Sequence, residues 1–324
     1  MEKKSTSHQK RKLSGKDIHL IFLALVVIIL IVIIARVLIW NKGTKSNYDP
    51  NDLMEGFDTE SNDMMFYLDS KDLEGHEDDG INTVLFLGND QLSYGSDGTT
   101  VPDYVAQNLG NADVINCSFP GSIASTYQSG GNPNDAFSFY FLIISLINQD
   151  FSFQDTNLPL ADCVDSSYQA TLDRLKSVSL DKIDTLVIGY DASDYLADRG
   201  LWNPNNESDI TCFQGSLYAG ISLLKQSCPY IRIIVSSPTY AMYVDENGDT
   251  HSGDTYSSGN GELYVYVTQE GAAASSLSVS FIDNYYGSVH SDNYTEYLEN
   301  HILLNDSGRQ FIAKRITNFI KGIQ

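Results

Sequence analysis

Between Ile18 and Trp40 the chain reads IHLIFLALVVIILIVIIARVLIW, an apolar run of about 23 residues. At a rise of roughly 1.5 Å per residue, a helix of that length covers the ~30 Å hydrocarbon core of a bilayer. No other feature limits the fold as much, because any globular structure must then be built from the residues after Trp40. Lys3, Lys4, Lys10, Arg11, Lys12 and Lys16 precede the run, and acidic sequence comes after it. The positive-inside rule therefore sets the N-terminus in the cytoplasm and the rest outside. Arg36 can snorkel to the outer surface, and Trp40 suits the interface. A cleaved signal peptide has an apolar region of only about 7–15 residues that ends in small residues. Ile34-Ala35-Arg36-Val37-Leu38 offers no such site, so the expectation is an uncleaved single-pass anchor in the cell membrane with an extracellular C-terminal domain.

The chain as a whole carries 20 Lys and Arg against 42 Asp and Glu, a formal charge of -22. A nucleic-acid partner needs cations to displace phosphate counterions, so this balance argues against one. Residues 1–17 read as a basic cytoplasmic tail, 18–40 as the membrane span, 41–80 as an acidic stalk without sustained periodicity, and 81–324 as the folded domain. Cys117, Cys163, Cys212 and Cys228 all fall in the exported part, where three disulfide connectivities compete with buried free thiols. None has metal-ligand spacing, and neither a metal nor a cofactor is expected.

After the stalk come five short runs rich in β-branched and aliphatic residues: Thr83–Gly88, Ala112–Asn116, Ile183–Tyr190, Tyr230–Ser236 and Ser278–Asp283. Runs of this kind are strands buried on both faces. Helical stretches separate them: Val101–Leu109, Asp135–Asn148 with Ser167–Ser177, Phe213–Gln226 and Glu262–Ser275, while Ser307–Ile320 closes the chain. Alternating strands and helices predict a three-layer α/β/α domain around a mostly parallel five-stranded sheet. Ligands of such sheets bind beyond the carboxyl ends of the strands. Polar loops stand there: Asn89-Asp90-Gln91, Ser118-Phe119-Pro120-Gly121, Asp191-Ala192-Ser193-Asp194 and Ser236-Ser237-Pro238-Thr239-Tyr240. The Asn247-Gly248 pair within Asp245–Gly261 predicts a hairpin. Phe137–Ile147 is too short to span a bilayer and reads as a buried helix, with Tyr140 or Phe141 packed inside.

The order of these features resembles the SGNH/GDSL hydrolases, α/β/α esterases, lipases and carbohydrate acyl esterases, over roughly Asn82 to Ile320. The family's first block, a strand followed by Gly-Asp-Ser, corresponds to Val84-Leu85-Phe86-Leu87-Gly88-Asn89-Asp90. Its second corresponds to Val114-Ile115-Asn116-Cys117-Ser118-Phe119-Pro120-Gly121, with the Gly121 N–H as an oxyanion donor. Its third, Gly-x-Asn-Asp, falls on the loop Asp191-Ala192-Ser193-Asp194 after Gly189. The asparagine position falls on Ser193, or on Asp191 in a shifted register. The last block, His-Leu-Asn-x-x-Gly, corresponds to Leu303-Leu304-Asn305-Asp306-Ser307-Gly308.

Several departures bear directly on chemistry. Asp90 stands at the nucleophilic serine and Asn89 at the preceding Asp; Leu303 stands at the His and Asn300 at the Asp three residues before it. Acyl transfer through serine needs a hydroxyl, a base within reach and a group to orient that base. His301 could enter the cleft if the register slips, although an exposed loop histidine is the plainer reading. Asp90, Asp191 and Asp194 could form a carboxylate cluster that raises one pKa or holds a hard cation; the plainer alternative is loop and cap aspartates. The resemblance thus implies a catalytically degenerate protein that binds or helps to modify cell-envelope glycan. The alternatives are an esterase or acyltransferase acting on acylated polysaccharide with rearranged residues, and a structural partner in an envelope complex.

Overall fold

The computed structural model describes residues 62–323 apart from 75, 77, 128–130, 258 and 287. The basic tail, the apolar run 18–40 and the first half of the stalk lie outside the described residues. Among the described residues no helix is long and apolar enough to cross a membrane.

Five strands, β1 (Asn82–Gly88), β2 (Ala112–Asn116), β3 (Thr185–Gly189), β4 (Arg232–Ser236) and β7 (Ser280–Ile282), form one parallel sheet in the order β2-β1-β3-β4-β7. They coincide with the five aliphatic runs of the sequence. The inner strands β1 and β3 are buried almost throughout, as expected when helices cover both faces of a parallel sheet. A separate antiparallel pair, β5 (Met242–Val244) and β6 (Thr250–Ser252), turns at Asn247-Gly248. Gly248 takes a φ of 84° there, a conformation glycine adopts without steric cost.

The helices are α1 (Asp90–Ser93), α2 (Val101–Leu109), α3 (Phe139–Asn148), α4 (Ser152–Asn157), α5 (Tyr168–Lys176), α6 (Ser193–Leu196), α7 (Phe213–Ser227), α8 (Leu263–Ser276), α9 (Tyr294–Tyr297) and α10 (Asp306–Lys321). One group pairs α2 with α10, and another packs α3, α7 and α8 in series. The helix expected over Asp135–Asn148 is divided: a 3-10 turn covers Pro133–Phe137, and Ser138 is extended before α3 begins. Asn132 and Asp135 form a capping box around the turn, and Ser138 donates to the Asp135 carbonyl through both its N–H (3.1 Å) and its hydroxyl (2.8 Å). Local capping thus competes with a continuous helix. The buried face of α3 is Phe139, Leu142, Ile143 and Leu146, whereas Tyr140 and Phe141 are only half-buried, against the expectation for those two rings.

Residues 62–68, read from composition as stalk, run along the outer edge of β7. Met64 and Phe281 exchange backbone hydrogen bonds of 2.9 and 2.7 Å in antiparallel sense. Arg315 of α10 holds Asp63 at 2.8 and 3.0 Å and also reaches the Asp283 carbonyl at 3.1 Å. This segment covers an edge strand that would otherwise expose unpaired backbone. All four cysteines are free thiols, with Cys117 and Cys228 buried.

Glu270, on the inner face of α8, is 1% exposed, and neither of its carboxylate oxygens has a hydrogen-bond partner among the described residues. Burial first, then the charges of Asp194 and Asp283, raise its pKa well above the usual carboxylate range. A carboxyl raised in the folded state stabilises fully only below its unfolded pKa, and that contribution is lost as pH rises toward the folded value. Replacing Glu270 with Met should therefore stabilise the fold by about 1–3 kcal/mol near neutral pH. It should also flatten the fall in stability between about pH 4.5 and higher pH. Thermal melting across that range checks this; a Glu270→Met protein that melts lower at pH 8 would show that the carboxylate has a stabilising partner.

Candidate functional site

The site is assembled where β1 and β3 end. Gly88 and Gly189 are register partners, and a Cβ on Gly88 would lie 1.8 Å from the Gly189 carbonyl oxygen. A Cβ on Gly189 would in turn meet Leu92 of α1 at 2.9 Å. Glycine at position 88 permits the close backbone approach, and glycine at 189 leaves room for the Leu92 side chain; together they bring the loop carrying Asn89 and Asp90 against the loop carrying Asp191. The Asn89 N–H donates to the Gly189 carbonyl at 3.2 Å, and the Phe119 N–H donates to Gly88 at 2.8 Å, which draws in the loop after β2.

Asn89 is fully buried and clamps the first loop to the third. Its Nδ2 donates to Asp191 Oδ1 at 2.7 Å and to the Ser122 carbonyl at 3.0 Å, while its Oδ1 accepts the Asp191 N–H at 2.9 Å. These partners fix which end of the amide is which. Asp191, 5% exposed, also accepts from the Ser193 N–H at 2.9 Å and from the Ser193 hydroxyl. Burial, with the charge of Asp90 second, raises its pKa to about 6 against the opposing hydrogen bonds. Asp191, rather than Ser193, is therefore the principal partner of the first-block residue Asn89.

Asp194 is turned away from this pair. Its carboxylate accepts the Ala124 N–H at 2.7 Å, the Ser125 N–H at 3.0 Å and the Ser125 hydroxyl, tying α6 to the loop after Gly121. Burial nonetheless holds its pKa above the usual range. The three aspartates thus do not converge as cation ligands. Among the described residues no group of three or more His, Cys, Asp or Glu side chains is placed to hold a metal ion.

Asp90 is the half-buried member of the group. Its Oδ2 accepts the Gly121 N–H at 2.6 Å, and Gly121 presents that N–H from a left-handed conformation with φ 71°. Burial raises the Asp90 pKa, and the Gly121 bond opposes it. The last-block residues form a separate turn: Asn300 Oδ1 accepts the N–H groups of Ile302 (2.9 Å) and Leu303 (2.8 Å), and the His301 carbonyl accepts the Met242 N–H at 2.8 Å. Tyr94, just after α1, donates to Glu299 and so moors this turn beside the first loop. Among the described residues no hydrogen bond joins His301 to Asp90. The structure brings together Asn89, Asp90, Gly121, Asp191 and Ser193, with Asp194 supporting them.

Gln91, Ser237 and Asn284 also shape this edge, and the sequence pattern did not single out Gln91 or Asn284. Gln91 Nε2 and Asn284 Nδ2 both donate to the Ser237 carbonyl, at 2.8 and 2.9 Å, linking the ends of β1, β4 and β7. The signal available in sequence was only their place just after strands, a weak one because many polar residues share it.

No family model matches this chain, and no curated protein matches it in sequence. Solved structures do share its fold. One is 14% identical with a TM-score of 0.54, covering 76% of this chain and 99% of its own. Another, a protein from Lactobacillus plantarum, is 15% identical with a TM-score of 0.50 over the same shares. A possible lipase from Chitinophaga pinensis is 12% identical over 74% of this chain and 98% of its own, with a TM-score of 0.48. At such identities the likeness concerns fold alone. The strand order, with the sequence blocks at the carboxyl ends of their strands, agrees with an SGNH/GDSL hydrolase-like fold.

The clamp makes a specific prediction. Asn89→Asp sets a second carboxylate against Asp191 and should cost roughly 3 kcal/mol at pH 8, with part of the loss recovered at pH 5 as one carboxyl protonates. The reciprocal double variant Asn89→Asp/Asp191→Asn restores a donor and an acceptor and should regain most of the stability. Urea denaturation reads both; a single variant as stable as the parent at pH 8 would rule out the clamp.

Proposed function

We propose that this chain is a membrane-anchored, extracytoplasmic SGNH/GDSL hydrolase-like protein with a degenerate catalytic centre, and that it binds cell-envelope glycan or assists its modification. One observation supports this reading most: Asp90 lodges its own carboxylate on the Gly121 N–H at 2.6 Å. By resemblance, that donor is the one that would polarise a substrate carbonyl, and Asp90 stands where a serine would attack. An anion bound there competes with the developing oxyanion instead of generating it. Leu303 cannot take a proton, and Asn300 commits its side-chain oxygen to the turn. The family's nucleophile and base positions therefore carry neither the hydroxyl nor the oriented base that serine-type acyl transfer needs. An active esterase or acyltransferase with rearranged residues is the second reading; it would need a base, and His301 is the residue closest in sequence to the family position.

The glycan part rests on the fold's kinship with carbohydrate acyl esterases, which is an analogy. The anchor part rests on the apolar run from Ile18 to Trp40. Deleting residues 1–40 should move the protein from the membrane fraction to the soluble one. Retention in the membrane fraction would refute the single anchor.

For catalysis, the purified protein should hydrolyse aryl acetates no faster than buffer and should resist labelling by serine-directed phosphonates. Asp90→Ser/Leu303→His is the smallest change expected to begin restoring ester turnover, because it vacates the Gly121 donor and supplies both nucleophile and base. Turnover by the unmodified protein, abolished in Asp90→Asn or His301→Gln, would establish the rearranged enzyme instead.

A further inference from the structure

A groove away from the Asp90 centre has the chemistry of a sugar-binding trough. Helix α8 turns Tyr264, Thr268, Ala272 and Ser275 outward, at spacings of four, four and three residues that align them on one helix face. Between this face and Asn62–Met64 lies a cavity of 540 Å³ that reaches Asp283 and Tyr286. Beyond Tyr286 lies a second, of 450 Å³, walled by Tyr264, Tyr285 and Tyr286 with Asp254, His290 and Asp292 at its rim. Tyr286 lines both, so the two adjoin in one grooved surface beside the carboxyl end of β7. In the sheet, β3 and β4 stand between β7 and β1, the strand that leads into Asp90.

The tyrosines here are held in place. Asp283 Oδ1 accepts the N–H groups of Tyr285 (3.1 Å) and Tyr286 (2.9 Å), and its Oδ2 accepts from Asn62. Tyr285 is buried, donates its hydroxyl to Asp254 and packs edge-on against Tyr286, with ring centroids 5.0 Å apart. A rigid aromatic wall costs little ordering entropy when a ligand stacks on it. Its apolar faces suit the C–H faces of sugar rings, while carboxylates and a histidine along the rim suit hydroxyls. The floor of Thr268, Ala272 and Ser275 has short side chains, which admits a flat chain. Asp254, Asp283 and Asp292 repel anions, and the cation at this end, Arg315, is already engaged by Asp63.

We propose that this trough binds an uncharged, hydroxyl-rich linear oligosaccharide in extended form, making it the glycan site of a protein whose hydrolase centre is degenerate. This rests on the glycan-binding reading above and adds location and charge class to it. The test is calorimetric titration of the full-length protein in detergent with cellopentaose and mannopentaose, and with pentagalacturonate as an anionic probe. At least one neutral pentasaccharide should bind, and pentagalacturonate should not. Tyr264→Ala, Tyr286→Ala and Ala272→Trp should each weaken neutral binding by about tenfold or more. Ala272 is exposed, so Ala272→Trp remains informative if Tyr286→Ala misfolds. If neutral binding survives all three substitutions but is lost in Asp90→Ala, the glycan reading stands and the trough is wrong. If neither neutral probe binds at millimolar concentration, both fail. Tighter binding of pentagalacturonate would overturn the charge assignment.

Discussion

The close approach of β1 and β3 at Gly88 and Gly189 sets the geometry on which the rest of the edge depends. Two facing glycines let one backbone reach the other where a single Cβ would collide with a carbonyl oxygen 1.8 Å away. The amide of Asn89 then spans the gap to Asp191, and the loop after β2 is drawn in through Ser122 and Phe119. The buried side chains of Asn89 and Asp191 are tolerated here because each meets its partners in the other loop, since a half-satisfied pair would cost more than an apolar one. The clamp also explains how a carboxylate can persist at 5% exposure: three donors share the work that water does elsewhere.

That same order sets the Asp90 and Asp191 carboxylates against the donors of Gly121, Asn89 and Ser193. Asp90 stands on the loop after β1, and the Gly121 N–H closes on its carboxylate. Asp194 and Asn300 are absorbed into loop architecture, one by the Ala124–Ser125 backbone and the other by its own turn. Both side chains thus hold the loops at the carboxyl ends of the strands in place. Loops at strand ends can change chemistry in this way without changing the sheet beneath them.

The opposite end of the sheet is held differently. The segment around Met64 adds a short antiparallel pairing to β7, and the Arg315–Asp63 ion pair fastens it to α10. Because Arg315 is largely shielded and also bonds the Asp283 carbonyl, the pair is held in one geometry, unlike a freely exposed one. Asp283 is the hinge of the arrangement: it receives Asn62 on one oxygen and the Tyr285–Tyr286 backbone on the other. Edge protection and the tyrosine wall are therefore built from the same few residues.

The sequence by itself determined the five strands, since Val84–Leu87, Leu186–Ile188 and Ile233–Val235 are runs that only a doubly covered sheet can bury. It also determined the hairpin at Asn247-Gly248, because the turn needs a residue free to take positive φ. Both are local: hydrophobic period and turn chemistry act within a few residues. The division of the third helix at Ser138 was less legible, because capping and helix propensity compete there at similar strength. What only the tertiary structure decided were contacts between residues far apart in the chain, which no periodicity encodes. Asn89 meets Asp191 across 102 positions and Asn62 meets Asp283 across 221, so neither the clamp nor the covered edge could be read from composition. Nor could the sequence say that Asp90 would turn its carboxylate onto Gly121 while the His301 carbonyl is taken up by Met242, because side-chain direction is set by packing after the loops have met.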